Sequence, residues 1–395
     1  MTEWLLKNCE LPITHIVKQI ISYTIMNGRK KGQAIATIFT IPLTLPKLYF
    51  IISYIVQKKL KVVNKVNLMV TKTIQEGLEA VEKKLRDIVS SDVDVLQEAG
   101  LHIIKSGGKR LRPQLGILAY LAAGGQDVQR VVPMSAAIEM VHTATLVHDD
   151  INDHSLTRRG QITVHARWGR TFALLTGDFL FTKVYEMMAP YGSEYNIIMS
   201  DACTKLVEGE TLQAAAAKAG SIDRETYKTI ISRKTASLFE AAARMGAMLA
   251  DAGEEFVEAV GTYAYNLGLT FQIVDDILDI IGDPETLGKP VGTDVAQNRG
   301  VMATQNGGLA VKEAVTAPST SSTSLGRSGQ AVAELANDPI AQMMANLRDS
   351  GAVEIAQMQA EESGSRARAA LATLPASPAK TEMENLVNAV LDRQN

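Results

Sequence analysis

From residue 69 onward, apolar side chains recur at three- and four-residue steps with charged and amide side chains between them, the period of a helix rather than a strand. Ile74, Leu78, Val81, Leu85 and Ile88 form one such stripe, with Glu and Lys filling the other positions. They predict an amphipathic helix lying on a core. Ala-rich stretches at 134–147, 202–219 and 229–250 predict further helices, joined by short turns containing Gly, Pro or Asp. Phe271, Val274, Leu278 and Ile281 continue the same spacing. No series of strands is apparent, so the pattern predicts an all-α bundle with sites built between facing helices.

Two acidic stretches interrupt the apolar pattern: Asp149-Asp150-Ile151-Asn152-Asp153 and Asp275-Asp276-Ile277-Leu278-Asp279. Both read D-D-x-x-D. Residues four apart share a helix face, which pairs Asp149 with Asp153 and Asp275 with Asp279. His142 and Gln272 extend these polar lines toward each helix N-terminus. Carboxylates on otherwise apolar helices cost several kcal/mol each unless a cation compensates them. An oxygen-only site of this kind suits Mg²⁺ shared with phosphate oxygens.

Positive groups flank the first acidic stretch. Lys105-Ser106-Gly107-Gly108-Lys109-Arg110-Leu111-Arg112-Pro113 combines two glycines with a proline able to open a helix, so Lys109 and Arg112 could grip phosphate at that helix start. Arg158-Arg159-Gly160 follows the acidic residues. Each basic turn taken singly reads as a surface loop. Together with the carboxylates they describe a site of two signs, which points to diphosphate chemistry.

Composition narrows the alternatives. The 395 residues are 46% apolar and 21% charged, enough for one large core or two modest ones. Residues 1–68 hold ten Lys/Arg against two acids, leaving 30 against 41 for the remainder. The body therefore has no basic surface suited to nucleic acid, and only the head is basic. Within the head, residues 35–56 are almost uncharged and lie between Arg29-Lys30-Lys31 and Lys58-Lys59-Lys61, but Pro42, Pro46 and Lys47 interrupt them. Residues 1–68 are thus read as an extension: a spanning helix, an interfacial anchor touching membrane through 29–61, or a dispensable segment. A second domain is expected over 69–395. Cys9 and Cys203 have no disulfide or metal-ligand spacing, and a reducing, cytoplasmic compartment is expected, with membrane association left open.

The chain resembles the trans-prenyltransferase family, and within it the long-chain polyprenyl diphosphate synthases. The resemblance rests on the stretches 107–113, 142–150, 158–160 and 271–276, with Gly177-Asp178, Lys234-Thr235 and Gly288-Lys289, in the family's order and spacing. It implies an isoprenoid synthase-type bundle around a central diphosphate and Mg²⁺ site, acting as a homodimer on isopentenyl diphosphate and an allylic diphosphate. By that resemblance Asp149, Asp153 and Asp275, with Asp279 through water, hold Mg²⁺, Asp276 belongs to the same catalytic set, and Arg158, Lys234 and Lys289 clamp the allylic diphosphate. Lys109, Arg112, His142 and Arg159 match the isopentenyl diphosphate site, and Thr235 and Gln272 match residues that orient the reacting groups. Ala144, with Thr145 after it, occupies the place where short-chain members carry an aromatic residue. An open tunnel floor and a long product, of the sort used for quinone side chains, are therefore expected.

Beyond Gly292-Thr293-Asp294 the chain departs from the family, reading Asn298-Arg299-Gly300 where a Gly-Lys pair is usual. Arg299 is expected to stand in for that lysine, with different geometry. A Ser/Thr/Gly-rich stretch follows, and residues 300–335 are read as a flexible segment. This departure keeps a second reading open, a non-catalytic partner subunit or membrane tether. A terpene cyclase fits less well, because both motifs here are Asp-rich.

Overall fold

The computed structural model describes residues 68–219, 223–282 and 345–393. The chain divides into two units, Met1–Thr71 and Lys72–Asn395, and the fold below is that of the second. Expectations for the basic head, for Gly288-Lys289 and Arg299 and for the segment 300–335 fall outside the described residues. Among the described residues, no helix is long and apolar enough to cross a membrane.

The all-α expectation holds. Helix α1 occupies residues 72–88 of this unit, with Ile74, Val81 and Leu85 buried as the stripe predicts. It is followed by α2 (Asp94–Lys105), α3 (Leu111–Ala122), a 3₁₀ turn at Val128–Arg130 and α4 (Val132–Asn152). After α4 come a short hairpin, α5 (Val164–Trp168), α6 (Arg170–Met188) and α7 (Ser193–Ala219). Then α8 (Arg224–Ile231), a π-helical turn (Ser232–Ala236), α9 (Ser237–Met248) and α10 (Glu254–Ile281) run almost without a break. Helices α11 (Ala352–Ala372) and α12 (Pro378–Leu391) are the last helices among the described residues.

Two helices form its centre, and they are the two that carry the acidic stretches. Helix α4 packs on α6 and α3, and α10 on α11 and α9. Helix α4 is buried on nearly all sides along its length, from Met134 and Ile138 to Val147 and Ile151. A helix apolar all round belongs inside a core. Around α10, Ile273, Ile277 and Ile280 pack with Ile230 and Ile231 of α8 and with Ala352 and Ala356 of α11.

Two local features depart from the sequence pattern. Residues 229–250 read as one helix, yet the ladder widens to a π turn at Ser232–Ala236. One extra residue in a turn leaves the apolar spacing on either side intact, which is why it is silent in the sequence. Gly209 of α7 packs directly against it: a Cβ there would lie 2.6 Å from the backbone N of Lys234. The second feature is the antiparallel pair β1 (Thr157–Arg158) and β2 (Gln161–Ile162), with Thr157 opposite Ile162. Arg159 and Gly160 form its turn at φ values of 51° and 72°, the left-handed conformation that tight two-residue hairpins use. Strands of two residues are too short to show alternation.

Candidate active site

The first acidic stretch closes α4. Asp149 lies in its last turn, and the backbone N–H of Asp153, the C-cap residue, donates to the Asp149 carbonyl at 2.8 Å. The spacing that pairs these two carboxylates along one side is therefore kept. Asp150 points the other way and is buried, accepting from Arg158 Nε at 2.7 Å. Burial pushes the Asp150 carboxyl up, and Arg158 opposes that shift. Burial also pushes Asp149 up to about 7; Lys234 opposes it, while Glu210 and Asp153 reinforce it.

The second stretch lies in the last two turns of α10. Asp275 is half-buried and accepts from Arg393 Nη2 at 2.9 Å. Asp276 is buried between Gln272, whose Nε2 donates at 2.9 Å, and Tyr227, whose hydroxyl donates at 2.7 Å. Asp279 is wholly buried.

Both stretches sit at helix C-termini, where the backbone carbonyls already present partial negative charge, and neither helix has a basic residue in its last turn. Acidic side chains there are disfavoured by about 0.3–1 kcal/mol each unless a cation is present. Among the described residues, no three His, Cys, Asp or Glu side chains converge on one point. This donor set fits an ion that takes one or two carboxylates from the protein and the rest of its shell from phosphate oxygens and water, the usual habit of Mg²⁺.

The π turn connects the two acidic helices. Lys234 Nζ donates to Glu210 at 2.8 Å and to Gln213 Oε1 at 2.7 Å, both on α7, and its charge is felt at Asp149. The next residue, Thr235, donates to Gln272 Oε1 at 2.8 Å, and Gln272 in turn donates to Asp276. π-Helical turns recur at functional sites because they re-aim adjacent side chains. Here consecutive residues turn toward α4 and α10.

A cluster of positively charged side chains is built around the start of α3. Arg110, the N-cap residue, has a φ of 50° and is buried, donating to Glu82, to Glu139 at 2.8 Å and to the Ile104 carbonyl at 3.2 Å. Arg112 lies over the Phe239 ring, 4.9 Å from its centroid, and its Nε has no hydrogen-bond partner among the described residues. Burial lowers its pKa to about 10, with Glu139 and Arg159 acting in opposite directions. His142 is pushed well below its ordinary value by burial and then by the surrounding arginines, so the ring is neutral near pH 7. Arg159 is lowered too, by burial first and Arg110 second. Gly108 makes room for it, since a Cβ there would lie 2.8 Å from Arg159 Nη1. Buried cations gathered this closely suit an anionic ligand. Lys109 is exposed at the edge of the same turn.

The site thus gathers most of the residues that the sequence singles out. Asp149, Asp153, Lys234, Thr235, Gln272 and Asp275 fall around the π turn and the two helix ends, and Arg112, His142 and Arg159 around the start of α3. Arg158 differs, because its Nε is bonded to Asp150. Ala144 and Thr145 are buried in α4 about one turn before Asp149, with the Thr145 hydroxyl donating to the His142 carbonyl at 2.8 Å. Sequence reasoning missed Glu210 and Gln213, though the polar cluster Glu208-Gly209-Glu210 inside an Ala-rich helix was a usable signal. It also missed Glu82, Glu139, Tyr227 and Arg393, none of which belongs to a local pattern.

A family model described as polyprenyl synthetase matches residues 93–304. The chain is 39% identical over 227 residues to a short chain isoprenyl diphosphate synthase of Methanocaldococcus jannaschii, covering 56% of this chain and 68% of that one. It is 32% identical over 327 residues to octaprenyl diphosphate synthase of Escherichia coli, covering 80% and 96%. Its structure resembles polyprenyl synthase from Caulobacter crescentus CB15 complexed with calcium and isoprenyl diphosphate, with a TM-score of 0.71 at 31% identity, over 82% of this chain and 97% of that one. The motif set, the all-α architecture and these matches agree: the chain belongs to the polyprenyl synthetase family and is a prenyltransferase.

Proposed function

We propose that this prenyltransferase is a long-chain polyprenyl diphosphate synthase, adding isopentenyl diphosphate head-to-tail to an allylic diphosphate with Mg²⁺ as its metal. The π turn carries this reading, because it links both acidic helix ends to one lysine and one threonine. Asp149 and Asp153 on one side, and Asp275 and Asp279 on the other, are the residues that would hold Mg²⁺. The ion, when bound, neutralises charge on the leaving diphosphate. Lys234, Arg158 and Lys289 bind the same diphosphate through its oxygens. Asp150 keeps Arg158 aimed along the end of α4.

The allylic carbon–oxygen bond breaks with both electrons leaving on diphosphate oxygen, and fixed positive charge stabilises that oxygen as the charge develops. Lys109, Arg112, His142 and Arg159 hold isopentenyl diphosphate so that its double bond faces the allylic cation. Thr235 and Gln272, already joined by a hydrogen bond, orient the reacting ends. The new carbon–carbon bond leaves a tertiary cation, which loses a proton to the released diphosphate. No side-chain nucleophile is required.

Ala144 sets the product class. Ala144, small and buried about one turn before Asp149, brings no aromatic ring to block a growing chain, consistent with a product of about C30 to C50. Such chains serve as quinone side chains. Exposed Phe172, Leu174, Leu175 and Tyr185 on α6, with Ile197 and Val207 on α7, support a homodimer built on these helices. Incorporation of labelled isopentenyl diphosphate onto geranyl, farnesyl or geranylgeranyl diphosphate, with products separated by length, tests the proposal. Long Mg²⁺-dependent products that Ala144→Phe shortens are expected. If wild type and Ala144→Phe both stop at C15 or C20, Ala144 does not set the length. If the full chain gives no product at all, a partner-subunit role replaces synthesis.

A further inference from the structure

Lys234 is held more tightly than a long side chain at a helix surface ordinarily is. Its Nζ lies 2.8 Å from both oxygens of Glu210 and 2.7 Å from Gln213 Oε1, and the side chains of Lys234 and Glu210 are each 26% exposed. Glu210 and Gln213 are three residues apart and so project from one face of α7. Fixing a lysine costs rotamer entropy, which two directed acceptors offset.

The contact is not needed to dock α7 on the π turn. Gly209 already provides the close backbone approach, and Glu208 pairs with Arg233 at 3.0 Å on its outer side. Glu210 also places a third negative charge near Asp149 and Asp153, where it disfavours ionisation of Asp149. Packing alone gives no reason for a carboxylate there. A reason appears if its task is to hold Lys234.

We infer that Glu210 and Gln213 are positioning residues that fix the Lys234 ammonium at the π turn, where it meets the allylic diphosphate. The inference rests on the proposed synthase reading for the identity of that ligand, although the lysine clamp itself is independent of product length. It differs from a masking role, in which Glu210 would neutralise Lys234 and compete with the diphosphate. Positioning predicts weaker diphosphate binding when Glu210 is removed, and masking predicts tighter binding.

The test is calorimetric binding of inorganic diphosphate in excess Mg²⁺ to the full chain and to Glu210→Ala, Glu210→Gln, Gln213→Ala, Lys234→Ala and Glu210→Ala/Lys234→Ala. Glu210→Ala should weaken binding about tenfold, as removal of an orienting partner commonly does, with Glu210→Gln recovering part of the loss. Gln213→Ala should weaken it less and stands in if Glu210→Ala does not fold. The double variant should bind no more weakly than Lys234→Ala alone, because Glu210 acts through the lysine. In turnover, Glu210→Ala should raise KM for the allylic diphosphate and leave KM for isopentenyl diphosphate unchanged. Unchanged or tighter binding by Glu210→Ala, additive losses in the double variant, or a wild type that binds no diphosphate would each overturn the inference. A wild type that shows this binding pattern yet makes no polyprenyl product refutes the synthase reading and leaves the positioning role standing.

Discussion

The two acidic stretches share one pattern of residues and are anchored in different ways. In α4 the second aspartate, Asp150, is fixed by a charged partner, the Arg158 guanidinium supplied from the hairpin that follows the helix. In α10 the second aspartate, Asp276, is fixed by neutral donors, the Gln272 amide one turn back and the Tyr227 hydroxyl on α8. The last aspartates differ too: Asp153 caps the end of α4, whereas Asp279 is wholly buried two residues before α10 ends. A repeat in sequence is thus not a structural repeat. In both stretches the first aspartate stays toward the site while the second is turned into the protein, where its bonds orient the helix end. The same division of labour is reached with one ion pair in one case and a hydrogen-bond chain to Thr235 in the other.

The comparison breaks most visibly at the first aspartates. Asp149→Asn and Asp275→Asn should each lower kcat by a factor on the order of 10²–10³, the usual effect of removing one charge-stabilising group from a site, with the fold intact by circular dichroism. If only Asp149→Asn does so, the second stretch is structural. Next come the anchors. Asp150→Ala leaves a partly buried Arg158 without its partner and should cost about 3 kcal/mol in urea unfolding. Asp276→Asn keeps the shape but weakens the bonds from Gln272 and Tyr227, and should cost about 2 kcal/mol. Equal losses would mean that the ionic and neutral anchors are equivalent.

A smaller effect concerns pH. With its pKa raised to about 7, Asp149 in the folded chain retains a proton that the unfolded chain releases near pH 4. This group therefore favours the metal-free folded state below about pH 4, and that contribution is lost as pH rises from about 4 to 7. Divalent ion binding requires the ionised carboxylate, so affinity should rise between pH 6 and 8 with proton release, seen as a buffer-dependent heat in calorimetry. Asp149→Asn should abolish that release, whereas Asp276→Asn should preserve it. A further change is Gly209→Ala, whose added methyl must push the π turn away from α7. A loss of about 1–3 kcal/mol is expected, together with reduced activity, because Lys234 moves with the turn.

Much of this is legible in the sequence itself. The helix period of 72–88, the paired aspartates and the basic turn at 107–113 are local patterns, and local patterns survive folding because neighbouring residues stay neighbours. Two kinds of feature were not legible. The π turn at Ser232–Ala236 leaves the apolar period on both sides unchanged, so residues 229–250 read as a plain helix. The partners Glu82, Glu139, Tyr227 and Arg393 are brought to the site by tertiary packing from 28 to 118 residues away, a separation at which sequence spacing carries no geometric information. Glu210 lies between these cases, visible as a charge in an Ala-rich helix but given meaning only by its contact with Lys234.

The central claim is that the two helix ends hold metal jointly around one diphosphate. Its most direct test is the number of Mg²⁺ ions bound in the presence of an unreactive allylic diphosphate analogue, measured by calorimetry on wild type, Asp149→Asn and Asp275→Asn. Joint binding by the two helix ends gives more than one ion in wild type and fewer in each variant. An unchanged ion count in Asp275→Asn would contradict it, leaving α4 as the sole metal-binding end and α10 as a scaffold.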